Sequence, residues 1–209
     1  VLGWACEIVY KRDKNLEFLK KVYPMLVKNE RYWTEHRAVD GLLHYDAEDT
    51  DSKDYELHVR YESGWDNSVR WDKGIVSMWA IDLNCFMVMN YRALSYIAGE
   101  LSLTKDAQKW SDKAIALSAL INERLWDSQK HYYADADFKT HEISHVLSPA
   151  SFMPLYIGIA SEEQAKCMAE LAETKFESKM PTVSFDDPAY STDYWRGPTW
   201  LNVAYFAAK

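Results

Sequence analysis

Ser77-Met78-Trp79-Ala80-Ile81-Asp82-Leu83-Asn84-Cys85-Phe86-Met87-Val88-Met89-Asn90-Tyr91-Arg92-Ala93-Leu94-Ser95-Tyr96-Ile97-Ala98-Gly99-Glu100 sets the architecture of this chain. Its apolar residues, among them Met78, Ile81, Leu83, Cys85, Phe86, Met87, Val88, Leu94 and Ile97, fall on most sides of a helix. A helix of that kind is enclosed by others. The next segment differs. Thr104 is placed to cap it, and Ala107, Trp110, Ala114, Leu117 and Ile121 form a narrower stripe, with Lys105, Asp112, Lys113 and Glu123 on the wet side. The pair therefore reads as an enclosed helix followed at once by a half-exposed one.

On the N-terminal side, Val1 to about Tyr10 reads as the tail of a helix. Asp13 and Asn15 can cap the next, whose Leu16, Leu19, Tyr23, Leu26 and Trp33 mark one buried face, with a kink predicted at Pro24. After Asp40-Gly41 the period changes. Leu42 to Tyr45 fits a short strand, Asp46 to Asp54 a solvated loop, and the segment around Asp66 stays non-helical. On the C-terminal side, Trp126-Asp127 and the alternating Tyr132 to Phe138 read as a turn and a strand or hairpin. A short apolar helix lies around Ser151 to Ile159, and Ser161-Glu162-Glu163-Gln164 is a capping box opening a helix through Leu171. An irregular link carries the Asp186-Asp187-Pro188 turn, and Pro198 sits in the first turn of a last helix.

Short and long links alternate: short near 12–15, long over 34–77, short near 102–104, long over 126–150, short near 160, long over 174–196. Helices joined by short links run antiparallel, so the long links gather on one face, where Asp66, His141 and Trp195-Arg196 are expected to meet. About seven helices in this rhythm resemble just over half of a closed ring of paired helices, with short hairpins in the long loops.

Composition bounds the partners. The formal charge of −8 argues against nucleic acid or an anionic membrane, either of which needs a basic face, and no apolar run approaches a membrane span. Cys6, Cys85 and Cys167 are too scattered for a disulfide framework and read as buried free thiols. The chain opens on Val1-Leu2-Gly3-Trp4, already apolar and helical, as a piece cut from something longer would. Aromatic residues make up 14%, with nine Trp and fourteen Tyr, a composition that suits carbohydrate ligands and that a helical core also absorbs.

One stretch has the makings of a sugar site: Tyr61-Glu62-Ser63-Gly64-Trp65-Asp66-Asn67-Ser68-Val69-Arg70-Trp71. Indole faces stack on pyranose rings, Arg and Asn donate to hydroxyls, and an acid sheltered by an indole can protonate a leaving oxygen. Equally, Trp65 and Trp71 can be core residues with Asp66 a turn former. The second signal is Tyr194-Trp195-Arg196-Gly197-Pro198-Thr199-Trp200, a compact shelf of two indoles and one guanidinium. A Pro-initiated helix with core tryptophans explains all of it except Arg196, which needs a partner.

Two patterns suggest metal. His141-Glu142-Ile143-Ser144-His145 spells H-E-x-x-H, but a strand-like segment precedes it and Pro149 follows too closely for the long helix a zinc site needs. Asp186-Asp187 with Asp193 could hold a hard cation, but Pro188 makes a turn the better account. Neither metal nor cofactor is expected.

Glu62-Ser63-Gly64-Trp65-Asp66-Asn67-Ser68, followed by Tyr194-Trp195-Arg196-Gly197-Pro198-Thr199-Trp200 and Asn202, resembles glycoside hydrolase family 63. This family includes processing α-glucosidases and mannosylglycerate hydrolases and is related to the family 37 trehalases. The resemblance covers nearly the whole chain. It implies an all-α fold, an (α/α)6 barrel of which residues 1–209 are a single partial catalytic domain truncated at both ends. It implies inverting hydrolysis of α-glycosidic bonds in an α-glucoside or related oligosaccharide, with Asp66 as general acid. Trp195, Arg196, Trp200 and Asn202 match the segment lining the sugar cleft, and Trp65, Arg70 and Trp71 flank the acid. Val69 replaces a proline found in many relatives. The relatives' general base is a glutamate in a later segment, so the expected partner is the remainder of the parent chain. Glu62, Asp187 and Asp193 are stand-ins that spacing does not separate. The isolated chain is expected to be inactive, and the rival function is a non-catalytic carbohydrate-binding helical domain.

Overall fold

The computed structural model describes residues 1–177 and 179–207. In chain order the helices and strands are α1 (Leu2–Asp13), α2 (Leu16–His36), β1 (Ala38–Val39), β2 (Leu42–Leu43), α3 (Tyr55–Ser63), β3 (Met78–Trp79), α4 (Ile81–Glu100), α5 (Thr104–Arg124), β4 (Trp126–Asp127), β5 (Tyr132–Tyr133), β6 (Ala136–Asp137), α6 (Met153–Tyr156), α7 (Glu162–Phe176) and α8 (Leu201–Ala207). Seven of these helices answer to those read from the sequence. The eighth, α3, lies inside the expected long link over 34–77. It buries only Val59 and leaves Leu57 and Tyr61 exposed, so it carries no apolar stripe to betray it. A Glu56–Arg60 pair one turn apart, 2.7 Å, and a left-handed cap at Gly64 (φ 71°) hold it instead. At the other end α8 starts at Leu201, not at Pro198. Among the described residues no helix is long and apolar enough to cross a membrane.

The chain divides into two compact units, Val1–Leu43 with Leu83–Leu120, and His44–Asp82 with Ile121–Lys209. The first is helical. Asn15 caps α2, its side chain accepting from the Phe18 N–H at 3.1 Å, and α2 buries Leu19, Tyr23 and Leu26 while Leu16 stays exposed. In α4 every residue from Ile81 to Tyr91 except Phe86 is buried, as an enclosed helix requires. α5 buries only the stripe Trp110, Ala114, Leu117 and Ile121. The polar groups in this core are paired. Trp110 Nε1 donates to Tyr23 Oη at 2.9 Å, and Tyr23 Oη donates to Asp106 at 2.8 Å. Burial, with the neighbouring Asp106 carboxylate, pushes the Tyr23 phenol up to about 12. Glu30 receives Tyr91 Oη at 3.1 Å and Lys113 Nζ at 2.7 Å. Of the three cysteines, all free, Cys85 is buried, whereas Cys6 and Cys167 are partly exposed and so depart from the expectation of three buried thiols.

The second unit mixes helices with short extended pieces. β3 pairs antiparallel with β6, β4 with β5, and single bridges join His44 to Trp79 and Ala136 to Ile143. Trp71, Ile75, Trp79, Ile81, Ile121, Tyr133 and Phe176 are among its fully buried large residues. α7 opens on the expected capping box: Ser161 Oγ accepts from the Gln164 N–H at 3.2 Å and Gln164 Oε1 from the Ser161 N–H at 2.8 Å.

Asn84 closes the first unit's hairpin. Its carboxamide accepts from the Leu43 N–H at 2.8 Å and donates to the Leu43 carbonyl at 2.9 Å, with no exposure to water. Asn84→Ala strands both backbone groups, and each buried unpaired group costs about 1–3 kcal/mol. Urea unfolding of this variant is expected to show a loss of about 3 kcal/mol; a loss under about 0.5 kcal/mol, the range of an ordinary surface change, would contradict this account.

Candidate functional site

The acid-bearing loop is built by local hydrogen bonds. Gly64 ends α3 with its N–H on the Tyr61 carbonyl, and Ser63 Oγ donates to the Arg60 carbonyl at 2.6 Å while accepting from the Trp65 N–H at 3.1 Å. The Ser68 N–H then reaches back to the Trp65 carbonyl at 2.9 Å. Asp66 and Asn67 therefore occupy the corner of a four-residue turn. Ser68 Oγ accepts from the Arg70 N–H at 3.3 Å and so starts a 3-10 turn over Val69–Trp71. Asp66 is half-buried and makes no hydrogen bond or ion pair among the described residues.

Beneath that corner lies Arg70, 2% exposed. Its Nη1 and Nη2 donate to the two oxygens of Asp82 at 2.8 and 2.9 Å, and its Nε and Nη2 to the two oxygens of Asp135 at 2.9 and 2.8 Å. Trp65 and Trp71 cover the guanidinium, with ring centres 4.7 and 4.4 Å from Cζ. Burial opposes the positive charge, but the attraction of Asp135 and Asp82 outweighs it and holds Arg70 well above its ordinary range. Asp135 also accepts from the Ile81 N–H at 2.9 Å, at the start of α4. One cation thus ties the acid loop, the β5–β6 segment and a helix start together.

The second motif lies against the first. The Trp195 N–H donates to Asn67 Oδ1 at 3.0 Å, and Asn67 Nδ2 donates to Asp193 Oδ2 at 2.8 Å. Arg196 donates to the Asn67 carbonyl at 3.1 Å and forks onto Asp72 at 2.7 and 2.6 Å. Trp195 packs on Trp65 with ring centres 4.9 Å apart and stacks on Trp200 at 4.3 Å and 11°. Gly197 is required here, because an added Cβ would stand 1.9 Å from the Ser191 carbonyl oxygen. Two stretches separated by some 126 to 129 positions therefore form one structure.

The expected site residues divide by depth. Trp71 is fully buried and Arg70 is saturated by carboxylates, so neither is presented as the sequence suggested: they frame the loop from behind. Arg196 finds its partner in Asp72, which supplies the structural reason the sequence lacked. Trp65 and Trp195 are each 4% exposed, Trp200 is half-buried, and Asn202 is exposed on the first turn of α8. His141 packs edge-on against Trp79, ring centres 5.4 Å apart. The H-E-x-x-H stretch is extended, bridged through Ile143 to Ala136, and His141 itself has φ 63°, so its imidazoles do not share a helix face. Among the described residues no group of three or more His, Cys, Asp or Glu stands close enough to hold a metal ion. A hollow of about 320 Å³ is lined by Val69, Asp72, Lys73, Met78, Glu142, His145 and Asp187, among others. Of the stand-in carboxylates, Glu62 accepts from the Asp46 N–H at 2.7 Å, Asp187 from the Ala189 N–H at 2.8 Å, and Asp193 from Asn67.

Comparison with known proteins gives the same picture. The profile of the mannosylglycerate hydrolase MGH1-like glycoside hydrolase domain matches residues 1–209. The periplasmic trehalase of Escherichia coli O1:K1 is 30% identical over 127 residues, which is 57% of this chain and 22% of the relative. Among solved structures, the family 63 mannosylglycerate hydrolase of Thermus thermophilus in complex with glucose superposes with a TM-score of 0.80 at 22% identity, over 98% of this chain and 59% of that one. The neutral trehalase of Saccharomyces cerevisiae gives 0.82 at 18% identity, over 99% and 50%. The match thus spans about a fifth of the curated relative, and half to three fifths of the solved ones. Its fold is all-α, an incomplete part of the (α/α)6 toroid.

If Arg70 is the core cation described, Arg70→Met leaves two buried carboxylates uncompensated, and breaking a buried pair costs about 3–5 kcal/mol. Equilibrium unfolding is expected to show that loss. Unchanged stability with ligand binding alone impaired would return Arg70 to the surface role its sequence neighbourhood suggests.

Proposed function

Because the chain belongs to the mannosylglycerate hydrolase MGH1-like glycoside hydrolase domain family, we propose that residues 1–209 are part of the catalytic domain of a parent enzyme that hydrolyses α-glycosidic bonds with inversion. Asp66 is its general acid. The observation that carries this reading is the meeting of the two motifs: the residues on both sides of Asp66 are engaged by the Trp195 segment, Trp65 by ring packing and Asn67 by three hydrogen bonds, while the Asp66 carboxyl has no partner among the described residues. A carboxyl held at a turn corner and spared from ion pairs is available to a substrate oxygen.

In such a reaction the acid gives its proton to the departing glycosidic oxygen as the bond from that oxygen to the anomeric carbon breaks. A second carboxylate takes a proton from the water that attacks the opposite face, and the two groups stand roughly 6.5–9.5 Å apart. Asp66 supplies the first half. Glu62, Asp187 and Asp193 are each engaged by a hydrogen bond from within the chain, which favours a base from the rest of the parent chain. The substrate is a carbohydrate, an α-glucoside or related oligosaccharide; relatives named trehalase and a mannosylglycerate hydrolase complexed with glucose support that class. Trp200 and Asn202 are the residues assigned to the sugar, with Trp65, Arg70, Trp71, Trp195 and Arg196 holding them in place.

Two measurements test this. In the full-length parent, Asp66→Asn is expected to lower kcat on an α-linked disaccharide by about 10²–10⁴-fold, the usual worth of a positioned acid, with binding retained. Unchanged hydrolysis would make this a carbohydrate-binding domain and not the catalytic one. The isolated 209-residue chain is expected to show no turnover, and turnover abolished by Asp66→Asn would place the base within it.

A further inference from the structure

We propose that Asn67 is a positioning residue for Asp66, and that the Asn67–Asp193–Trp195 clamp, not the acid loop alone, sets where the proton is delivered. This rests on the reading of Asp66 as general acid. The turn carrying Asp66 is short: Ser68 N–H to Trp65 carbonyl is its own closing bond, at 2.9 Å. Among the described residues none bonds the Asp66 carboxyl, so its direction is fixed through its two neighbours.

Trp65 is pinned between the Arg70 guanidinium and Trp195, at 4.7 and 4.9 Å. Asn67 uses both ends of its carboxamide on one distant segment, accepting from the Trp195 N–H at 3.0 Å and donating to Asp193 at 2.8 Å, while its carbonyl takes Arg196 at 3.1 Å. The primary amide accepts from a backbone N–H through its oxygen and donates to a carboxylate through its nitrogen, two atoms held in one plane at a fixed spacing. Alanine does neither, and aspartate would set a second negative charge against Asp193. Arg196 braces the arrangement by its fork onto Asp72. Because Trp195 stacks on Trp200, which is assigned to the sugar, the clamp fixes the distance between the sugar platform and the acid.

The readout must separate a displaced acid from general damage. A fluoride leaving group departs without taking a proton, so hydrolysis of the matching glycosyl fluoride needs the attacking water and its base but not Asp66. A displacement of about 1 Å can cost about 100-fold in rate. In the full-length parent, Asn67→Ala is expected to lower kcat on an α-linked disaccharide by about 10–100-fold, to change KM by less than about threefold, and to leave fluoride hydrolysis within about twofold. Asn67→Asp alone is expected to lose at least as much, and the exchange Asn67→Asp with Asp193→Asn to recover most of it, since donor and acceptor are only swapped. Equal losses on both substrates, no loss on either, or an exchange no better than the single variant would overturn the proposal. Asp66→Asn run alongside keeps the outcomes apart: if that variant hydrolyses the disaccharide normally, it is the acid assignment that fails.

Discussion

One buried guanidinium carries the second unit. Arg70 satisfies two aspartates in bidentate fashion, and each brings a different piece of chain: Asp82 from the first turn of α4, and Asp135 from the segment between β5 and β6. Two buried carboxylates on one cation are costly to desolvate, and the Trp65 and Trp71 indoles packed against the guanidinium keep its surroundings low in dielectric, where the pairing is strong. Such a knot contributes little net stability compared with an apolar plug. Its contribution is register: the fork accepts only one mutual orientation of the three segments.

The acid loop inherits its geometry from that knot. Trp65 and Asp66 are separated from Arg70 by one tight turn and the start of a 3-10 turn, so little slack remains between the fixed cation and the corner carboxyl. The Trp195 segment then closes over the same loop with hydrogen bonds, a second forked arginine and a stack of indoles. Two arginines with similar sequence settings thus have different depths, one in the core and one at the rim, and neither has a free fork.

Much of this was legible in the sequence, and the exceptions are instructive. The enclosed character of α4 was written in its apolar residues on most sides, and the capping box of α7 was explicit. Asp66 could be picked out because glycine, tryptophan and asparagine around an aspartate make a loop. The partners of the arginines could not be picked out, because Asp72, Asp82 and Asp135 sit at separations that no local period reports. A signal existed for Asp82 alone: an acid inside the most apolar stretch of the chain demands a cation. α3 was missed because it is held by an ion pair and a cap, not by a buried face. The H-E-x-x-H residues, read as badly placed for a zinc-holding helix, follow a positive φ at His141 onto an extended segment.

The most direct test of the central claim is a crystal structure of the parent enzyme with an uncleaved substrate analogue bound. The account predicts the glycosidic oxygen within hydrogen-bond distance of the Asp66 carboxyl, about 2.6–3.2 Å, with the Asn67–Trp195 bond intact and the sugar against Trp200. A ligand seated away from that turn, with Asp66 facing open solvent, would contradict it.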